Sequence, residues 1–109
     1  MKTKYTKAAQ KDIEEIFLYI APRSDVSVAD KLVDAIVGTC EFLADYPFLG
    51  RRRPEFDDFG FEVRSITERG YLIVYTTFEG TIFIVRVMHG AMDIDRTDFR
   101  GLSNIGTSN

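Results

Sequence analysis

A chain of 109 residues, 45% hydrophobic and 28% charged, has the size and balance of one globular domain that can bury a core without metal or disulfide staples. The single cysteine, Cys40, excludes an internal disulfide and fits a reducing compartment. A net charge of −3 argues against a protein that coats nucleic acid through bulk positive charge. The N-terminus, M-K-T-K-Y-T-K-A-A-Q, is not a secretory signal, and no apolar run reaches the ~20 residues that span a bilayer. A cytoplasmic protein without membrane association is the expectation.

The opening K-T-K-Y-T is short and suits an edge strand. Helical period follows: Ile13, Ile16, Phe17 and Ile20 form one face, with Asp12, Glu14 and Glu15 elsewhere. Thr6 is placed to cap this helix and Pro22 lies at its end. A second helix carries Val28, Leu32, Ile36, Cys40 and Leu43 in one seam, widened by Val33 and Val37. Ser27 and Asp30 read as its capping box, and Tyr46-Pro47 as its end. Residues 48–60 form a connector with Gly and Pro at its joints. The period then switches to strands over 61–67, 71–78 and 81–88. Arg69-Gly70 and Glu79-Gly80 supply the two-residue breaks of tight hairpins. The tail 101–109 lacks periodicity and is expected to be mobile beyond a single domain of residues 1–100. The fold class is α+β, in the order β-α-α-β-β-β: a helical hairpin on one face of a small, twisted, mainly antiparallel sheet.

Charge is distributed unevenly along this plan. All five lysines lie at or before Lys31, whereas Arg51 to Arg100 hold eight arginines and no lysine. Either these arginines recognise an anionic partner, or they pair with the nine acidic residues of the same stretch and solvate a sheet. Strand alternation puts Arg86 with Ile84 and Met88, Tyr75 with Tyr71 and Ile73, and Arg64 with Glu62 and Ile66. A register that brings Arg64, Tyr75 and Arg86 onto the uncovered sheet face would form a basic, aromatic surface suited to RNA or to an acidic protein segment.

The usual catalytic constellations are missing. Cys40 sits in an apolar seam, one histidine is a poor start for a metal site, and no phosphate-binding glycine motif occurs. Neither a metal nor a cofactor is expected. Asp93 and Asp95 flank Ile94, as an acid–base pair or as a solvated turn. His89, the sole histidine, is a general acid–base group or a hydrogen-bonded strand end; nothing nearby in sequence promises to orient its ring.

Three stretches, Y-P-F-L-G-R-R-R-P-E-F, F-E-V-R-S-I-T-E-R-G-Y-L-I-V-Y-T and I-F-I-V-R-V-M-H-G-A-M-D, resemble in order and spacing the RelE/ParE superfamily of toxins from type II toxin–antitoxin systems. The likeness runs from about residue 5 to residue 95. It implies one of two activities. RelE-like members cut mRNA on the ribosome with basic residues and often a C-terminal tyrosine; ParE-like members are not nucleases and poison DNA gyrase. After His89 this chain has no tyrosine, no lysine and, as bases, Arg96 and Arg100. The H-G-A-x-D ending and P-x-L-G-R connector look more like the ParE branch, which makes a gyrase-inhibiting toxin the leading expectation. On this reading the candidate target contacts, taken from the strand alternation and the arginine distribution, are Arg64, Arg69, Tyr75, Arg86 and His89. In the nuclease alternative, Arg64 and Arg86 hold phosphate and His89 serves as acid or base. A third reading is a non-toxic partner in a regulatory complex, and Met92, where relatives often carry arginine, is the departure that motivates it. The family also implies a cognate antitoxin, for which Phe17, Phe42, Phe48 and Phe59 are candidate contacts or core residues. Direct nucleic-acid contact is left open.

Overall fold

The computed structural model describes residues 1–90. Strand β1 (Lys2–Tyr5) leads into helices α1 (Lys7–Arg23) and α2 (Val26–Phe42). A connector holds the short strand β2 (Arg51–Arg52) and a 3-10 helix (Pro54–Phe59), and then come β3 (Val63–Glu68), β4 (Tyr71–Phe78) and β5 (Thr81–His89). The five strands form one sheet in the order β1-β5-β4-β3-β2, with β1 parallel to β5 and every other pair antiparallel. This is the expected α+β plan with one strand added in the connector. No helix of the described residues is long and apolar enough to cross a membrane.

Local chemistry accounts for most of the boundaries. Thr6 caps α1, its hydroxyl accepting from the Ala9 amide at 3.1 Å. Pro22 falls in the last turn, and the Ser24 amide closes the helix on the Ile20 carbonyl at 2.9 Å. The cap of α2 is Asp25, whose carboxylate accepts from the Ser27 amide at 2.6 Å, so the expected Ser27–Asp30 box is displaced. The helix also stops earlier than Tyr46-Pro47: regular bonding ends at Phe42, and a turn carries Leu43 into the core before the proline. Both hairpins use two positive-φ residues, Arg69 (51°) with Gly70 (84°) and Glu79 (47°) with Gly80 (76°). That pairing gives the turn whose twist matches the strands it joins.

The main core lies between the helical hairpin and the sheet. Ala9, Ile16, Ile36, Cys40 and Leu43 meet Ile73, Tyr75, Ile82, Ile84 and Val87 there. The opposite face, expected from the sequence to be open, is covered: Phe56 from the 3-10 helix packs on Val63, Val74 and Val85. The register shifts within β5, where Tyr75 opposes Ile84 but Val74 opposes Arg86, so Val85 is an extra residue. Because of that bulge, Ile84 and Val87 both reach the helix-side core, and the simple alternation that grouped Arg86 with Ile84 fails.

Candidate functional site

Beyond the bulge, β5 loses its neighbour on one side, since β1 pairs only as far as Tyr5 opposite Ile84. The chain then turns into α1, with the Thr6 hydroxyl donating to the Val85 carbonyl at 2.8 Å. One turn into the helix, Asp12 takes over the bare strand edge. Its Oδ2 accepts the Val87 amide at 2.9 Å and Arg86 Nε at 2.6 Å, and its Oδ1 accepts Arg86 Nη2 at 2.8 Å. The carboxylate thus replaces a missing strand and closes on the planar guanidinium fork in two-point geometry. The Asp12 side chain is 10% exposed and that of Arg86 23%, so the pair is largely shielded from screening by solvent.

This pair floors one end of an open groove of about 590 Å3 between α1 and the ends of β4 and β5. Ile16, Ile20, Val87 and Met88 give it an apolar lining, and Glu15, Tyr19, Tyr71 and His89 stand around them. Tyr71 and His89 are register partners, and their rings meet edge to face at 5.8 Å. The rim is pinned by the Gly90 amide, which donates to the Gly70 carbonyl at 2.8 Å. A Cβ at Gly90 would lie 2.9 Å from that oxygen, so the approach needs glycine. Arg69 occupies the same turn, exposed, with Nε 3.8 Å from the Glu68 carboxylate. The structure therefore places Arg86 and His89 in one groove with aromatic walls of the composition that protein contacts favour, and Arg69 on the turn beside it.

Arg64 and Tyr75 are elsewhere, and the expected open cluster with Arg86 does not form. The two are register partners on β3 and β4, but their shared face is the helix side, closed by the connector. Tyr75 is fully buried; its hydroxyl donates to the Pro47 carbonyl at 2.9 Å and accepts the Gly50 amide at 2.8 Å. Burial, the largest cause, pushes its ionisation above the ordinary tyrosine value. Arg64 pairs with Glu62 at 2.7 Å, and its Nη1 donates to the carbonyls of Gly50 at 2.8 Å and Phe48 at 3.3 Å. These residues shape the connector rather than line an open surface. The signal that could have shown this is Gly50 in Y-P-F-L-G, where a Cβ would meet the Tyr75 hydroxyl at 2.6 Å.

Of the four phenylalanines singled out as candidate antitoxin contacts, Phe17 is half-buried, while Phe42 and Phe48 are exposed. The side chain of Phe59 lies outside the described residues, as do Met92, Asp93, Asp95, Arg96, Arg100 and residues 101–109. Cys40 is buried in the core, which together with the Glu41 charge pushes its thiol up to about 12. Among the described residues, no three His, Cys, Asp or Glu side chains converge as metal ligands.

Comparison with known proteins narrows the reading. A family model described as the ParE toxin of the type II toxin–antitoxin system parDE matches residues 3–94. Among solved structures, the chromosomal ParDE toxin–antitoxin system from P. aeruginosa is similar in fold, with a TM-score of 0.68 and 23% identity over 82% of this chain and 95% of that one. No curated protein matches the sequence.

Proposed function

The chain belongs to the ParE toxin family of type II toxin–antitoxin systems, and from that premise we propose that it inhibits DNA gyrase by binding until a cognate antitoxin neutralises it. The observation that carries the proposal is the family match across residues 3–94. Target contact falls to the end of the sheet where Arg86 and His89 line the groove and Arg69 stands on the neighbouring turn. Arg64 and Tyr75 contribute from beneath, by fixing the connector.

Binding rather than cleavage also suits the state of Arg86. Its fork is already closed on Asp12, so a scissile phosphate would have to displace a carboxylate before drawing any stabilisation from it. An aromatic and apolar groove with charged edges is better matched to a protein segment.

The test is to express the toxin without antitoxin and compare supercoiling by purified gyrase with the integrity of cellular transcripts. Blocked supercoiling with intact transcripts is the expected result. Cleaved transcripts with unaffected supercoiling would replace this reading with a ribosome-dependent nuclease, and unimpeded growth with a non-toxic regulatory partner. His89→Gln sharpens the distinction: a contact residue should lower inhibition less than tenfold, whereas a general acid should lose about 100-fold or more.

A further inference from the structure

The bulge in β5 turns Arg86 out of the regular alternation, and the N-terminal segment of the chain ties that bulge down on both sides. Val85 is the extra residue, and its carbonyl accepts the Thr6 hydroxyl at 2.8 Å. Two residues on, the Val87 amide donates to Asp12 at 2.9 Å. Arg86 lies between these ties, and the same Asp12 carboxylate accepts its Nε at 2.6 Å and its Nη2 at 2.8 Å. Bulges recur beside functional sites because they re-aim a side chain in this way.

Asp12 thus does two separable things. Through Val87 it covers a strand edge, for which one acceptor oxygen is enough. Through the guanidinium it fixes the direction of a long side chain, which takes both oxygens. Ion pairs shielded from solvent often add no net stability over apolar replacements, so stability is a weak reason for the second. Orientation is a stronger one: an arginine held in one rotamer before its partner arrives carries less ordering cost into binding. Both residues line the groove between α1 and the ends of β4 and β5. Asp12 has less surface than Arg86 to offer a partner there, so its influence on that partner passes through the arginine.

We propose that Asp12 is the positioning residue of the target-contact surface: it aims Arg86, and inhibition depends on its carboxylate although Asp12 does not itself meet the target. This rests on the reading that the groove end of the sheet contacts the target. It holds whether or not that target is gyrase.

The full chain tests this with inhibition of purified gyrase, growth arrest on expression without antitoxin, and NMR of the arginine Nε–H groups. Asp12→Asn keeps an oxygen for the Val87 amide but cannot close on the guanidinium with two acceptors. It should retain the wild-type circular dichroism, weaken inhibition about tenfold, and speed exchange of the Arg86 Nε–H with water at least about tenfold. Asp12→Glu keeps the carboxylate and should stay nearer the wild type in both readouts. Ile36→Val loosens the core at a residue that does not line the groove, and should lower the melting temperature while inhibiting within about twofold of wild type.

Full inhibition by a folded Asp12→Asn protein overturns the proposal, and so does unchanged Nε–H exchange. It also falls if inhibition merely follows melting temperature, with Ile36→Val losing as much as Asp12→Asn. Should Asp12→Asn fail to fold, Arg86→Lys asks the same question from the other side, since it keeps the charge and loses the fork; full inhibition there overturns the proposal too. Growth arrest with unaffected supercoiling removes gyrase as the target, and the variants are then ranked by growth arrest, so the two readings fail separately. A wild-type protein that neither inhibits gyrase nor arrests growth removes the contact surface and this role with it.

Discussion

Replacing Gly50 by alanine puts the tie between connector and core under a defined load. The added Cβ would stand 2.6 Å from the Tyr75 hydroxyl, 2.7 Å from Tyr75 Cε1 and 2.9 Å from the Ser65 carbonyl oxygen. Tyr75 cannot swing away freely, since it is fully buried and its hydroxyl is bonded on both sides. The Ser65 oxygen belongs to the backbone of β3, whose pairing with β4 fixes it. Something must therefore move. Overpacking of a rigid site costs about 1–3 kcal/mol, and a buried partner left unbonded adds about 1–3 kcal/mol. The expected loss is about 2–6 kcal/mol, or roughly 10–35 °C in melting temperature for a domain of this size. Urea unfolding followed by circular dichroism measures it. Tyr75→Phe removes the atom nearest the new methyl, at the cost of the hydroxyl's two bonds, so Gly50→Ala/Tyr75→Phe should be less destabilised than the sum of the single variants. The 2.7 Å contact with Cε1 keeps the rescue partial. A Gly50→Ala protein within about 0.5 kcal/mol of wild type, or strictly additive behaviour in the cycle, would refute this account.

Other contacts of the fold carry expectations of their own. Arg86→Ala should leave the fold intact at a cost of about 1–3 kcal/mol, because Asp12 keeps the Val87 amide but loses its charged partner; it should also relieve gyrase inhibition, and full inhibition by a folded variant would remove Arg86 from the contact surface. Cys40 should resist thiol reagents at pH 8: raising the thiol from 9.0 to about 12 lowers its thiolate fraction about a thousandfold, and native labelling as fast as in urea would contradict the burial. Asp25 is held below the ordinary carboxylate value by the Ser27 amide. A depressed folded value means its capping contribution is present above the unfolded value and lost as pH falls through the folded one. Asp25→Ala should therefore flatten the acid side of the stability–pH profile below about pH 4, and an unchanged profile would argue against that cap.

What could be read from the sequence was what neighbours in the chain decide. The face of α1, the Thr6 cap and both hairpin turns depend on residues a few positions apart, and each lies where the pattern placed it. Arg64 and Tyr75 do share a face, as alternation implied; the misjudgement was which face was open. That depends on Phe56 folding back under the sheet and on the connector closing over Tyr75, contacts that no periodicity encodes. The bulge at Val85 was invisible for a related reason. It occurs where Thr6 and Asp12, from the far end of the chain, bond to the edge of β5. The strand alone still reads as an unbroken apolar run. In the connector, β2 is two arginines long, too short to show any period.

The strand order has a consequence for synthesis. β5 lies between β1 and β4, yet of the five strands it is translated last. Until it emerges, the first strand has no ladder to join, Asp12 has no guanidinium to meet, and the helical hairpin has half a floor. A nascent chain stopped before residue 81 lacks the strand that joins β1 to the rest of the sheet, and such distant pairings also slow the search for the native topology. Truncated chains that end before β5 should therefore fail to fold, which circular dichroism of a chain ending at residue 80 would check.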